Sequence, residues 1–229
     1  MSAGAFFTSN NSGPLACGQA TVIDIDGNTY NTVQIGTQCW MKSSLRTRSK
    51  PNGTAMTNST ADNSVTHSER SCPGNGVGTT VPGTEADCTT YGALYEWAVA
   101  MNGSILEGAQ GICPLGWHIP SDAEWYVLEN YLKDNGQTCD ANRIGSYDCT
   151  AAGTKLKPGG SSGYNGEFGG DRWVVGNYFA YRDSYAVIWS SSRYDSSTAW
   201  HRELYSGNAG VIRARNGLTF AFSVRCLKD

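Results

Sequence analysis

The sequence lacks long apolar runs and carries little charge. No stretch approaches the ~20 consecutive apolar residues needed to cross a bilayer, so we expect no membrane insertion. Charged residues make up only 16% of the chain, and the formal net charge of −3 leaves no basic excess for binding nucleic acid. The expected partners therefore include neither the interior of a membrane nor a nucleic acid.

Motifs for catalysis and metal binding are also lacking. The cysteines form no CxxC pair, and three scattered histidines do not supply a zinc site. No P-loop, HExxH motif or nucleophile elbow occurs. The acidic pairs Asp24/Asp26 and Asp122/Glu124 are assigned to a hairpin turn and a helix cap. We therefore predict a protein that is not an enzyme and has no cofactor. A loosely bound structural calcium stays open, because oxygen ligands on loops leave no motif.

Cysteine, in contrast, is plentiful. Its eight residues are even in number and lie mostly in loops rich in Gly, Ser, Thr and Asn, which favours four disulfides over free thiols. Short separation in the sequence suggests the pairs Cys72–Cys88 and Cys139–Cys149. The remaining cysteines would then form Cys17–Cys39 and Cys113–Cys226. The pairing stays open at this stage, because eight cysteines allow about 105 connectivities. The opening residues lack the pattern of a signal peptide, yet disulfides predict an extracellular, cell-surface or virion location.

The chain is expected to form one domain. Residues 1–20 are predicted to be a loose leader, and residues 21–229 a single domain long enough for a substantial core. Residues 46–90 are rich in Thr, Ser, Asn, Gly and Pro and contain few large apolar side chains. That composition indicates a long loop insertion held by a disulfide rather than a second domain.

The spacing of apolar residues predicts an α+β fold. Residues 21–26 and 29–35 are strand-like on either side of a Gly-Asn turn, which predicts a hairpin. Residues 91–101 place apolar side chains on one helical face. A second helix over residues 120–133 begins with a capping-box signature. Two helices between strand-rich segments indicate a compact α+β domain.

The most informative segment is the C-terminal one, residues 177–226. Every second residue in two runs suits a packed or pinned face, namely Trp200, Arg202, Leu204, Val211, Arg213 and Arg215. The residues between them share no common chemistry. Because side chains alternate between the two faces of a strand, this pattern predicts strands with one anchored face and one exposed face.

Six blocks of the chain resemble a known family. They are Asp24-Ile-Asp-Gly-Asn-Thr-Tyr30, Gln38-Cys-Trp-Met41, Tyr91-Gly-Ala-Leu-Tyr-Glu-Trp97, Cys113-Pro-Leu-Gly-Trp-His-Ile-Pro120, Trp189-Ser-Ser-Ser192 and Phe222-Ser-Val-Arg-Cys226. In this order they resemble the Fibrobacter succinogenes major paralogous domain, from about residue 21 to the C-terminus. The block Gly169-Gly-Asp-Arg-Trp173 departs from the family pattern and leaves the geometry near Asp171 open.

The resemblance implies a C-type lectin-like fold with two helices around small antiparallel sheets, long irregular loops and bracing disulfides. It also assigns Cys226 to a structural bridge. The same scaffold occurs in variable proteins of diversity-generating retroelements, in which adenine-directed mutagenesis rewrites chosen codons of a C-terminal region. The chain thus resembles such a variable protein, of archaeal or viral source, with a variable region at about residues 177–221.

The alternation and the resemblance together define a candidate ligand-binding face. It comprises Tyr178, Phe179, Tyr181, Arg182, Asp183, Tyr185, Arg193, Tyr194, Asp195, His201, Glu203, Tyr205, Ile212, Ala214, Asn216, Leu218 and Thr219. Tyrosine supplies a large, rigid contact area, and small polar residues adapt their hydrogen bonds, as in antibody loops. Ordinary exposed strands are the alternative explanation of this composition. The hypothesis is a display protein that binds an external protein or glycan; the alternative is a carbohydrate-binding or adhesion module of fixed specificity. The oligomeric state stays open.

Overall fold

The computed structural model describes residues 16–58, 69–173 and 178–229. The described strands are β1 (Thr21–Ile23), β2 (Thr29–Ile35), β3 (Gln38–Met41), β4 (Arg70–Ser71), β5 (Leu94–Glu96), β6 (Trp117–His118), β7 (Tyr147–Asp148), β8 (Asp171–Trp173), β9 (Tyr178–Ala180), β10 (Tyr185–Arg193), β11 (Thr198–Tyr205), β12 (Val211–Gly217), β13 (Ala221–Ser223) and β14 (Leu227–Lys228). The described helices are α1 (Glu85–Tyr91), α2 (Trp97–Ala100), α3 (Asp122–Leu132) and α4 (Ala152–Leu156).

Two sheets form the body of the molecule. The smaller sheet has the order β1-β2-β3-β14-β6, so the C-terminal strand lies between β3 and β6. The larger sheet has the order β4-β5-β13-β10-β11-β12-β7, with β8 and β9 attached beside β13. Most neighbours are antiparallel, whereas β10 and β13 run parallel. The predicted hairpin is present as β1 and β2, with Val22 opposite Tyr30.

The predicted α+β, C-type lectin-like class is wrong. The described part of the chain is mostly β, and each of its helices is short, α3 being the longest at 11 residues. The helix predicted over residues 91–101 is replaced by the fully buried strand β5 and the four-residue helix α2. Strand β5 forms because β4 and β13 pair with its two edges. Helical periodicity along the sequence carries no information about such distant strand partners.

The second predicted helix is confirmed as α3. Its capping box is complete, because the Ser121 side chain accepts a hydrogen bond from the Glu124 backbone N–H, and the Glu124 carboxylate accepts one from the Ser121 N–H. Trp125, Leu128 and Leu132 are buried on its inner face. They pack in a core cluster with residues of both sheets, including Trp40 and Leu204.

The predicted leader and insertion are described only in part. Of residues 1–20, those from 16 onward are described, and Cys17 is bonded there to Cys39. Residues 59–68 of the insertion lie outside the described residues. The remainder of the insertion contains β4 and most of α1, which the loop prediction missed. Arg70 of β4 is 1% exposed and pairs with Glu85 of α1 at 2.7 Å.

Four disulfides cross-link the described part of the chain. They join Cys17 to Cys39, Cys72 to Cys88, Cys113 to Cys226, and Cys139 to Cys149. These are the pairs that the cysteine separations suggested. Disulfides of this number are typical of proteins in an oxidising, extracellular or secreted environment. None of the helices in the described ranges has the length and apolar character required to span a bilayer.

A buried ion-pair network holds α3 against the larger sheet. Arg202 of β11 donates hydrogen bonds to Glu129 and, at 2.7 Å, to Asp122. The other oxygen of Glu129 accepts a 2.6 Å hydrogen bond from Arg143, and Asp122 also pairs with Arg213 at 2.8 Å. Glu129 and Arg202 are both 0% exposed, so neither can exchange its partner for water.

We expect Glu129→Gln to lower the free energy of unfolding by about 3–5 kcal/mol, because the buried guanidinium groups of Arg143 and Arg202 would lose the Glu129 carboxylate and Arg202 would keep only Asp122. Urea denaturation followed by circular dichroism measures this change. Asp134→Asn is the matched control, since the Asp134 side chain is 61% exposed and pairs only at the surface with Lys155. That control should cost less than about 1 kcal/mol. Equal losses in both variants would contradict a central role for Glu129.

Candidate functional site

One face of strands β10 to β12 is anchored in the interior. In the paired register, Arg202 of β11 lies between Ile188 of β10 and Arg213 of β12. Trp200 and Leu204, two residues away on either side of Arg202, are also buried. The Arg213 guanidinium lies 3.4 Å from the centroid of the Trp200 ring. Arg215, predicted to be pinned on this face, is exposed and lies over Tyr194 at 3.7 Å.

The opposite side of the same strands presents partly exposed side chains. We define the outer face as Tyr185 of β10, Glu203 and Tyr205 of β11, and Ile212 and Ala214 of β12. Each is intermediate in exposure, whereas the residues that alternate with them on β11 and β12 are buried, namely Arg202, Leu204, Val211 and Arg213. Tyr185 lies opposite Tyr205, and Glu203 lies opposite Ile212. The strand register therefore joins side chains from three strands into one continuous surface.

Tyrosine rings dominate one end of the outer face. Tyr185 and Tyr205 stack with ring centroids 4.7 Å apart, and Tyr181 meets Tyr185 edge-on at 5.2 Å. Tyr147 of β7 lies opposite Ile212 at the next strand. Partial burial, together with a hydrogen bond to Tyr185, raises the pKa of Tyr147 above its usual range. These rings offer aromatic area that is already packed before any ligand binds.

Acidic groups lie beside this tyrosine cluster. Asp171 of β8 is 6% exposed and accepts a 3.1 Å hydrogen bond from the indole N–H of Trp173 through one oxygen. Burial raises the pKa of Asp171 to about 7, and the nearby Glu203 carboxylate also raises it. Glu203 shares a 2.9 Å hydrogen bond with Nε2 of His201. Gly170, the residue before Asp171, donates its backbone N–H to the Tyr185 carbonyl at 2.8 Å, so Asp171 lies beside the strand that carries Tyr185.

Two predicted contact residues are not exposed, which corrects their place on the candidate face. Phe179 is 1% exposed because it packs with Leu94 and Ala221 in a small core cluster. His201 is 0% exposed, since its ring lies 4.9 Å from that of Phe222. Burial lowers the pKa of His201 and so disfavours its charged form. Neither side chain offers surface to a ligand.

Other predicted residues lie in separate groups. Arg182 pairs with Asp87 at 2.8 Å, and Asp183 accepts a 2.7 Å hydrogen bond from the Tyr91 hydroxyl. These contacts attach Arg182 to the first turn of α1 and Asp183 to its last residue. Tyr178 stacks on Trp173 at 5.3 Å. The structure places the remaining predicted residues near the β10–β11 turn or along the end of β12 and the segment after it, namely Arg193, Tyr194, Asp195, Asn216, Leu218 and Thr219. Residue 177, the predicted start of the variable region, lies outside the described residues.

Sequence reasoning missed three residues of this surface. Tyr147 lies in a polar stretch with no local signal of a strand, and its place beside Tyr185 depends on the pairing of β7 with β12. Asp171 and Trp173 were noted only as a departure from a family block. A lone acidic residue between glycine and arginine carries no local signal of burial. The signal that was available is the spacing of Asp171 and Trp173, which places both side chains on one face of a strand.

No group of potential metal ligands in the described ranges retains a free thiolate. The two clusters combine Cys72, Glu85 and Cys88, and Glu129, Cys139 and Cys149. All four of these cysteines are in disulfides. A disulfide sulfur does not supply the thiolate that binds zinc.

We expect Asp171→Asn to raise the free energy of unfolding at pH 8 by up to about 4 kcal/mol. An acid whose pKa is higher in the folded protein destabilises it progressively as pH rises from about 4 through about 7. The advantage of the variant should therefore be near zero at pH 4, grow up to pH 7 and then level off. Urea denaturation of both proteins at several pH values gives this difference. His201 contributes equally to both curves, so parallel curves would show that Asp171 titrates normally.

Comparison with known proteins gives one match. The family described as the Fibrobacter succinogenes major domain matches residues 33–228. No curated protein matches the chain, and no solved structure does. The matched residues include the anchored strands, the outer face, Asp171 and the last cysteine. Because the match spans most of the sequence, the chain belongs to the Fibrobacter succinogenes major domain family.

Proposed function

We propose that the protein is a non-enzymatic display protein whose outer face binds an external protein or glycan and is diversified by a retroelement. The observation that carries this proposal is the alternation along β11. Trp200, Arg202 and Leu204 are buried in the interior, whereas Glu203 and Tyr205 between and after them are partly exposed. A change at an exposed position therefore alters the surface without removing a core contact.

The structure of the strands supports recognition by a rigid surface. The anchored side is held by ion pairs of Arg202 and Arg213 with Asp122, and the β10–β11 and β11–β12 pairs set the positions of the outer side chains. A ligand that binds such a surface does not have to order a loop, so less binding free energy is lost. Stacked tyrosines on the same surface supply contact area with few rotamers to immobilise.

The disulfides support a location outside the cell. Four cross-links, one of them joining positions 113 residues apart, are consistent with an oxidising environment in which a receptor meets external ligands. Display on a cell surface or a virion is part of the proposal, as is the retroelement itself.

Deep sequencing of the coding region for residues 170–229 in the source population tests diversification, together with a search for a near-identical template copy. We expect substitutions at Tyr185, Glu203, Tyr205, Ile212 and Ala214, concentrated at template adenines. The internal controls are the buried residues that alternate with them, which should stay constant: Trp200, Arg202, Leu204 and Arg213. We also expect Phe179 and His201 to stay constant, because substitution there would change the core.

A uniform distribution of substitutions over both faces, or an invariant region without a template copy, would overturn diversification. In the second case a glycan array would test the alternative of fixed carbohydrate specificity. Binding to the array should then weaken at least about tenfold in Tyr205→Ala, since loss of a central aromatic contact costs more than about 1.4 kcal/mol. Tyr131→Ala is the matched control, because Tyr131 is a 64% exposed tyrosine on α3, outside the outer face.

A further inference from the structure

Buried carboxylates elsewhere in the described chain are neutralised or fully hydrogen-bonded. Glu129 and Glu167 each pair with arginine, at 2.6 Å for Glu129 and Arg143. Asp24, which has no arginine partner, uses both oxygens as acceptors for Asn28 and Tyr30, among others. Such partners are expected, because an uncompensated buried charge is costly.

Asp171 departs from this pattern. Its Oδ2 accepts one hydrogen bond, from Trp173, and its Oδ1 has no partner although the residue is only 6% exposed. None of the described ion pairs connects Asp171 to a lysine or arginine. An ionised carboxylate that is buried with one oxygen unpaired destabilises the folded protein, and burial accordingly raises the pKa of Asp171.

Glu203 supplies a second carboxylate to the same region. Its described ion-pair partner is His201, whose charged form is disfavoured by burial. None of the described ion pairs joins Glu203 or Asp171 to a lysine or arginine, so the charge of Glu203, and that of Asp171 when it is ionised, has no described cationic side chain to balance it. A positively charged ligand would restore that balance.

The tyrosines beside these carboxylates supply aromatic ring faces. Tyr205 lies two residues from Glu203 on the same face of β11, a separation of about 7 Å along the strand. It stacks on Tyr185, which in turn meets Tyr181. The faces of such rings carry negative potential and attract ammonium and guanidinium groups. A hard divalent metal fits less well, because calcium requires six to eight oxygen ligands.

We propose that Asp171, Glu203 and the rings of Tyr181, Tyr185 and Tyr205 form a subsite for a lysine or arginine side chain of a partner protein. The proposal rests on the proposed function, since it specifies the ligand chemistry of the same surface. Asp171 lies outside the predicted variable region of residues 177–221, whereas Glu203 lies within it. In this proposal Asp171 is the constant acidic group, and substitutions at Glu203 and the tyrosines change the specificity of the subsite.

Titration of the isotopically labelled, disulfide-intact protein with N-acetyl-lysine methylamide tests the subsite by NMR. The indole N–H of Trp173 is the reporter, because it donates to Asp171. We expect saturable shifts with this lysine probe and with N-acetyl-arginine methylamide, and at least tenfold weaker binding of the neutral N-acetyl-norleucine methylamide. Asp171→Asn and Glu203→Gln should each weaken lysine binding at least tenfold. The surface variant Asp134→Asn, with its side chain 61% exposed and paired to Lys155, should bind like the unaltered protein.

Dispersed amide spectra of the variants would show that loss of binding is not loss of folding. Equal binding of the lysine and norleucine probes, or full lysine binding by Asp171→Asn, would overturn the subsite. Displacement of the lysine probe by millimolar calcium chloride would also overturn it, in favour of a metal site. Diversification in the population without lysine binding would reject this subsite alone, whereas an invariant region would reject the proposed function whatever the probes show. Glycan binding that survives Asp171→Asn would overturn the assignment of a protein side chain as the ligand and identify a glycan as the partner.

Discussion

The contact of Arg202 with Glu129 and Asp122 is the constraint on which the rest of the structure depends. It connects the middle of β11 to α3 in a region that excludes water. Buried charges must be paired. Only one position and one orientation of β11 against α3 keep these ion pairs formed. Since strand side chains alternate, this also fixes which side chains point outward. Side chains of the outer face can then be substituted while the ion pairs on the opposite face of β11 keep the backbone in place.

The outer side of the sheet is buried at one level and partly exposed at another. At the level of Trp189 and His201 it is closed by Phe222 and belongs to the core. At the level of Glu203 and Tyr205 it is partly open. The unpaired oxygen of Asp171 lies in the same electrostatic environment as Glu203. A carboxylate kept without a partner at a cost in stability is the reason that we propose a binding role for Asp171.

Local signals in the sequence predicted local structure well. The hairpin and the capping box of α3 depend on residues within a few positions of each other, and both are present. The helix expected over residues 91–101 failed because β5 is stabilised by β4 and β13, of which β13 lies more than a hundred positions away. The predicted α+β class failed for the same reason. Short strands that pair with distant segments leave little periodicity, so the β content was underestimated.

The sequence by itself left the cysteine pairing open, but it determined the family, the number of cysteines available for disulfides and the alternation of anchored and outward residues in β11. Each of these depends on residue identity and spacing along the chain. Only the tertiary structure decided which outward positions are open, because Phe179 and His201 are covered by residues distant in sequence. It also brought Asp171 and Tyr147 to the outer face through β8 and β7. The burial and electrostatic environment of a side chain depend on all of its neighbours in space. The spacing of residues along one strand identifies only a few of those neighbours.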